Sequence, residues 1–203
     1  MRLIIIIFWV TLYSCSQQER KTIYTLDPTA KKLNDSADYL ITHTNQYERA
    51  VSLLNEATKI DSNYFEAYFN KYYCESGLLH KFNDALKTAQ NLSRLKPENP
   101  EYYYDIGFLS FKVGDTTLGF KSYKKALNFY DKMSDTMGKN TPGYVVLQLK
   151  RSLALTYIRK KDQANIILTQ LYNDEKDEEF KNTIATFIKK SREQILDSST
   201  SIK

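Results

Sequence analysis

Apolar residues recur every three or four positions through most of the chain, which is the spacing of one face of an α-helix. Ala50, Leu54 and Ala57 illustrate it, because successive members lie four and three residues apart. Only 4 prolines and 6 glycines interrupt the 203 residues, and no long alternating run rich in Val and Thr occurs. The sequence therefore predicts an all-α fold.

The apolar pattern divides into four pairs of helices and a last, longer helix. The predicted bounds are 28–43 and 46–60, 64–79 and 82–95, 100–113 and 116–130, 144–159 and 162–172, and 175–196. The polar segment 131–143 contains Gly138, Pro142 and Gly143, so we expect a loop there. The second pair has one residue too many before Ala85, which predicts either a longer turn or a bulge near Gly77.

Small residues mark the same point of successive pairs. Ala50, Ala85 and Gly119 are separated by 35 and 34 residues, close to the 34-residue period of arrays of helix-turn-helix repeats. The third pair carries the fullest motif, namely Tyr103-x-x-Ile106-Gly107, a Gly114-Asp115 turn and Gly119-x-x-x-Tyr123-x-x-Ala126. This motif resembles the tetratricopeptide repeat. The resemblance implies a right-handed α-solenoid of about four repeats over residues 27–196, with the last helix as a cap.

The same resemblance indicates where a partner would bind. In this family the first helix of each pair lines a concave groove, and the exposed residues of that helix select the ligand. Carried over by register, the groove residues are Tyr39, Phe69, Tyr73, Tyr104, Phe108, Phe111, Lys112 and Arg151. Any one of the aromatic side chains could instead pack between helices. The Lys and Asn residues with which some members clamp a carboxyl terminus are not found at these positions, so that activity is not predicted.

The N-terminus has the features of an export signal. A basic Arg2 precedes an apolar run from Leu3 to Leu12, which is too short for a membrane-spanning helix and is typical of a signal peptide over residues 1–14. Leu12-Tyr13-Ser14-Cys15 resembles the bacterial lipobox. The resemblance implies cleavage after Ser14 and acylation of Cys15, with palmitate among the chains. An uncleaved helix, or a plain leader with an incidental Cys, is the alternative.

The segments that flank the repeats are polar. Residues 15–26 are predicted to form a flexible tether, and residues 197–203 a disordered tail. By analogy with Gram-negative sorting, Ser16 after Cys15 favours the outer membrane, facing the periplasm. Cys74 is then the only other cysteine of the mature chain, and it is either a buried thiol or half of an intermolecular disulfide. We favour the buried thiol.

Composition narrows the classes of function. The net charge is +5, and basic and acidic residues are interspersed, whereas nucleic-acid binding requires a basic stripe. No metal-spaced His or Cys set, phosphate loop or catalytic Ser motif occurs, so neither an enzyme nor a cofactor is predicted. Two hypotheses remain. The first is a lipoprotein scaffold that binds a protein partner in the cell envelope, and the second is a ligand-capture lipoprotein that binds a glycan or small molecule in its aromatic groove.

Overall fold

The computed structural model describes residues 24–198, and this part of the chain forms ten α-helices and one π-helical turn. The helices are α1 Pro28–Thr44, α2 Tyr47–Ile60, α3 Phe65–Tyr73, α4 Phe82–Leu95, α5 Pro100–Lys112, α6 Thr116–Thr136, α7 Tyr144–Tyr157, α8 Lys161–Asp174, α9 Glu178–Lys189 and α10 Arg192–Ser198. The π-helical turn Cys74–Leu78 follows α3. The all-α prediction is confirmed for the described residues.

Successive helices pack against each other in chain order. α1 packs on α2, α3 on α4, α5 on α6 and α7 on α8, while α2, α4, α6 and α8 each contact the next helix along the chain. The result is a helical solenoid of four pairs, with α9 packed against α8 at its end. Among residues 24–198, no helix has both the length and the apolar character needed to cross a bilayer. The predicted signal peptide and Cys15 lie outside the described residues.

Local capping sets several helix starts. The Asp27 side chain accepts hydrogen bonds from the amides of Thr29 and Ala30, with Pro28 in the first turn, as the Asp-Pro sequence predicts. Asn99 and Asp115 cap α5 and α6 in the same way. These bonds satisfy amide groups that have no acceptor within the helix.

In each pair, the turn between the two helices contains one residue with a left-handed backbone conformation. These four residues are Asn45, His80, Gly114 and Arg159. Five positions after each of them comes a buried small residue, and these are Ala50, Ala85, Gly119 and Ala164. The fourth pair therefore keeps the register of the first three, although it follows the third at an interval of 45 residues.

Most of that longer interval arises from α6, and the predicted end of this helix is wrong. α6 was expected to end at Tyr130 but continues to Thr136, so the connecting loop is shorter than the predicted segment 131–143. Two tertiary contacts hold the added turns against α7. The Arg151 Nε lies 2.6 Å from an oxygen of Asp131, and the Gln148 amide donates to Ser134 at 2.6 Å. Packing on α7 thus overrides the polar composition of this segment.

The prediction of a single helix over 175–196 is also wrong, because the structure has two helices there, α9 and α10. The Gln194 amide donates to the Ser191 hydroxyl at 3.3 Å, and the Ser191 amide donates to the Gln194 side chain at 2.8 Å. This reciprocal pair is a capping box, which starts a new helix. α10 turns back so that Ile195 is buried against Tyr123 and Tyr157.

Two boundaries of the repeat domain also differ from the prediction. Within the segment predicted as a tether, the Tyr24 hydroxyl donates to Asp61 at 2.8 Å and Leu26 packs on the core of the first pair. At the other end, α10 includes the backbone of Asp197 and Ser198. The folded domain is therefore longer than residues 27–196 at both ends.

Of the two alternatives predicted for the second pair, a longer turn or a bulge near Gly77, the π-helical turn corresponds to the bulge. A π-turn holds one extra residue per turn, and it rotates the following side chains relative to a regular helix. Cys74 and Glu75 both become buried. Glu75 is paired inside the protein, because the Thr88 hydroxyl donates to it at 2.6 Å and the Lys71 Nζ lies 3.7 Å away.

Candidate functional site

A cavity of about 480 Å³ opens on the face formed by the first helices of the second, third and fourth pairs. We call it the central cavity. Its lining residues come from the end of α3 and the π-turn, the start of α4, the middle of α5, α7, and the C-terminal helices; they are Tyr72, Ser76, Gly77, Phe82, Tyr104, Asp105, Phe108, Leu109, Leu153, Tyr157, Phe187 and Ile195. Its volume falls in the range usual for ligand pockets.

Helical spacing explains why these side chains converge. Tyr104 and Phe108 lie four residues apart on α5, and Leu153 and Tyr157 lie four apart on α7, so each pair forms one stripe. The π-turn adds Gly77, which has no side chain to occupy the space. A wall of rings and aliphatic groups results, with few polar atoms.

Tyr104 is both a wall of the cavity and part of the core. Its ring meets those of Tyr123, Tyr130 and Tyr157 edge-on, with centroids 5.1, 6.5 and 6.2 Å away. Tyr123 and Tyr157 are buried and stack at 4.5 Å. Such aromatic pairs stabilise a core beyond their buried area. Burial raises the pKa of the Tyr104 hydroxyl, so this group stays neutral.

Asp105 is the acidic side chain of the cavity lining. Burial raises the pKa of its carboxyl to about 6, the hydrogen bond with the Tyr72 hydroxyl acts in the opposite direction, and the negative charge of Glu101 adds to the rise. The Lys150 charge lowers the pKa slightly in return. Desolvation is thus only partly compensated, as expected for a carboxylate in apolar surroundings.

Lys150 is already engaged by the other carboxylate of this helix. Glu101 forms an ion pair with Lys150 and accepts a hydrogen bond from the Tyr130 hydroxyl at 3.0 Å. None of the ion pairs within residues 24–198 includes Asp105. Glu101 and Asp105 lie one helical turn apart, and Lys150 is near both of them but forms its ion pair with Glu101.

The rim of the cavity already holds cations against aromatic rings. The Lys112 Nζ lies 5.3 Å from the centre of the Phe108 ring, and it also donates to the backbone oxygen of Leu196. The Arg192 guanidinium lies 5.4 Å from the centre of the Phe111 ring. Both distances are within the range of cation–π attraction.

The predicted groove residues fall into three groups. Tyr104 and Phe108 line the central cavity, and Phe111 and Lys112 lie beside it, in contact with α10. The exposed aromatic residues Tyr39, Phe69 and Tyr73 lie on α1 and α3, outside the cavity lining.

Arg151 is placed elsewhere. It binds Asp131 and lines a separate pocket of about 90 Å³ between α6, α7 and α8. The structure therefore brings Tyr104, Phe108, Phe111 and Lys112 together and separates Arg151 from them.

Sequence reasoning missed Asp105, although a signal was present. Asp105 follows Tyr104 and precedes Phe108 by three residues, so it shares their side of α5. It also missed Tyr157 and Ile195 as cavity residues. Contacts with the preceding helix pair place Tyr157, and the turn back at Ser191 places Ile195.

The cysteine prediction is confirmed, since Cys74 is buried and free. Burial raises the pKa of its thiol to about 11, which keeps it protonated and unreactive. Within the described residues, no group of three His, Cys, Asp or Glu side chains is arranged to hold a metal ion.

No protein-family model matches this chain, and no curated protein matches its sequence. Solved structures do match. A double mutant of MamA aligns with a TM-score of 0.55 and 14% identity, covering 88% of this chain and 100% of that one. YrrB, described as a TPR protein with an unusual peptide-binding site, aligns at 0.52 and 16% identity, covering 72% and 69%. A kinesin light chain of Podosopora anserina with TPR-like repeats aligns at 0.52 and 9% identity, covering 85% and 97%. The chain is thus similar in fold to tetratricopeptide-repeat proteins, which confirms the predicted solenoid of repeats.

Proposed function

We propose that this protein is a non-catalytic scaffold that binds a polypeptide segment along the face containing the central cavity. The observation that carries the proposal is the cavity itself, which is lined by rings packed against the core, and the exposed ring of Tyr73 on α3 lies beside Gly77 of its wall. Rigid aromatic side chains supply contact area at low entropic cost. The solved structure of YrrB, a TPR protein with a peptide-binding site, supports the class of partner.

The arrangement of the rings favours insertion of a side chain over stacking of a sugar. Stacked sugars require an open ring face with polar neighbours. The cavity lining instead consists of rings and aliphatic groups with few polar atoms, so it offers few of the polar neighbours that a sugar requires. We therefore rank the glycan or small-molecule alternative second.

Photo-crosslinking tests the proposed surface. A photoreactive phenylalanine at position 108, in the full chain inside its native cell, should form an adduct with a polypeptide. The control position is Ile166, an apolar side chain on α8 that is 70% exposed and lies away from the cavity. The same adducts at both positions, or none at position 108, would reject the proposed surface.

Alanine substitution is better placed at the exposed residues than at Tyr104. Tyr104 is partly buried, and Tyr104→Ala would remove its contacts with three core tyrosines. Truncation of a core aromatic costs up to about 3–5 kcal/mol. Loss of binding in that variant would report unfolding. Phe69→Ala with Tyr73→Ala removes two exposed rings and leaves that core intact.

We further propose that the scaffold is a lipoprotein of the cell envelope, acylated at Cys15 and held on the periplasmic side of the outer membrane. The similarity of Leu12-Tyr13-Ser14-Cys15 to a lipobox supports this proposal. Two or three acyl chains anchor a protein durably, whereas one gives only reversible binding. Cells fed radiolabelled palmitate should label the wild-type chain and not Cys15→Ala. A labelled Cys15→Ala chain would show that the lipobox interpretation is wrong.

A further inference from the structure

The central cavity carries a negative charge that the described protein leaves without an ion-pair partner. Asp105 lies in its wall, and the Tyr72 hydroxyl, a neutral group in the same wall, lowers the pKa of its carboxyl. Lys150, whose charge acts on Asp105, forms its ion pair with Glu101. Asp105 is half-buried. A carboxylate that is partly removed from water without a cation is destabilised, because desolvation is not offset by an opposite charge.

The walls around Asp105 suit a cation with an apolar stem. The rings of Tyr104 and Phe108 and the side chain of Leu153 surround the same space. Ring faces attract ammonium and guanidinium groups, and methylene stems bury well against rings. Lys112 already uses the Phe108 ring in this way from the rim.

We infer that the central cavity receives one basic side chain, lysine or arginine, from a polypeptide partner, with Asp105 as its counter-ion and the rings of Tyr104 and Phe108 as its walls. This inference rests on the proposed function and adds specificity to it. An acidic pocket selects the charge opposite to that selected by a clamp of Lys and Asn residues for a carboxyl terminus. Partner segments should therefore be recognised by an internal basic residue.

A random peptide library displayed on phage tests the inference against the full chain reconstituted in lipid nanodiscs. We expect the wild-type chain to select peptides with lysine or arginine at one fixed position. Asp105→Asn keeps the shape of the side chain and removes its charge, so it should still select peptides but lose that basic preference. Asp38→Asn is the matched control, because Asp38 is an exposed carboxylate on α1, and it should keep the preference.

Titration of one selected peptide gives the second measurement. Replacing its basic residue by norleucine should weaken binding to the wild-type chain at least about tenfold, because an interaction between charged groups is lost. The same replacement should change binding to Asp105→Asn less than about threefold. This comparison of two peptides on each folded variant does not depend on small differences in stability.

The possible failures are distinguishable. Selection of peptides without a basic preference would overturn the role of Asp105 and leave the proposed peptide-binding function standing. Failure to select any peptide would overturn both. A norleucine peptide that binds the wild-type chain as tightly as its basic parent would show that the cavity recognises apolar shape alone.

Discussion

Gly107 offers a direct test of how closely α5 and α6 pack. It lies within α5, and a Cβ atom built there would lie 2.7 to 2.9 Å from three carbons of the Tyr123 ring. The ring cannot move away freely, because Tyr123 is fully buried and stacks on Tyr157 with centroids 4.5 Å apart. Gly107→Ala must therefore displace the ring or the helix.

Two opposing effects set the magnitude. Alanine is preferred over glycine inside a helix by up to about 1 kcal/mol, whereas forcing an extra carbon into a filled core costs about 1–3 kcal/mol. We expect Gly107→Ala to lower the free energy of unfolding by up to about 2 kcal/mol. At Gly77 the added Cβ would lie 3.9 Å from the Tyr73 ring, an ordinary contact, so Gly77→Ala should be neutral or slightly stabilising.

Urea unfolding followed by circular dichroism at 222 nm measures both variants. Gly107→Ala should have a lower midpoint than Gly77→Ala, with the same dependence on urea. In thermal unfolding, each kcal/mol should shift Tm by about 2–4 °C. If Gly107→Ala proved as stable as Gly77→Ala, the close approach of Tyr123 to α5 would be wrong.

Three further predictions concern single residues. Thr88→Val removes the hydroxyl that donates to buried Glu75 and should lower the free energy of unfolding in urea by about 1–3 kcal/mol. Thr42→Val on the surface should change this free energy by less than about 0.5 kcal/mol. Equal effects of the two substitutions would contradict the buried hydrogen bond. Because the pKa of Asp105 is raised to about 6, the folded state keeps a proton that the unfolded chain has lost, so its contribution to stability falls as pH rises from about 4 to 6. Between pH 4 and 7.5, the free energy of unfolding of Asp105→Asn, measured in urea, should therefore rise relative to that of the wild type by up to about 3 kcal/mol. A difference between the two proteins that does not change with pH would refute the raised pKa. His80→Gly relieves a left-handed backbone at φ 53° and should raise Tm by a few degrees, whereas a lower Tm would show that the ring contributes more than the backbone strain.

The sequence predicted those parts of the fold that local pattern controls. The Asp27 cap, the repeat of small residues and the bulge near Gly77 each follow from a spacing or a capping preference, and each is present in the structure. α6 was predicted too short because contacts from α7 hold polar turns at Asp131 and Ser134. No local pattern reports such contacts.

The candidate site was predicted in part for a related reason. Tyr104 and Phe108 follow from register along one helix, whereas the cavity they line requires α7 and α10 to meet them. The break before α10 did have a local signal, the capping pair Ser191 and Gln194, which was overlooked. Register along the helix did not predict the position of Arg151, because an ion pair with Asp131 holds this side chain away from the central cavity.

Departures from the regular repeat meet at the central cavity. The π-turn leaves Gly77 in its wall, the break at Ser191 allows Ile195 to reach it, and Asp105 places a carboxylate among its rings. A half-buried carboxylate without a cation and an irregular helix both reduce stability relative to regular packing. Because proteins often depart from local rules at functional sites, three such departures around one space are consistent with the binding site that we propose there. The exposed ring of Tyr39 lies on regular helix α1 and carries no such signal, so a partner should be sought first through the residues of the cavity.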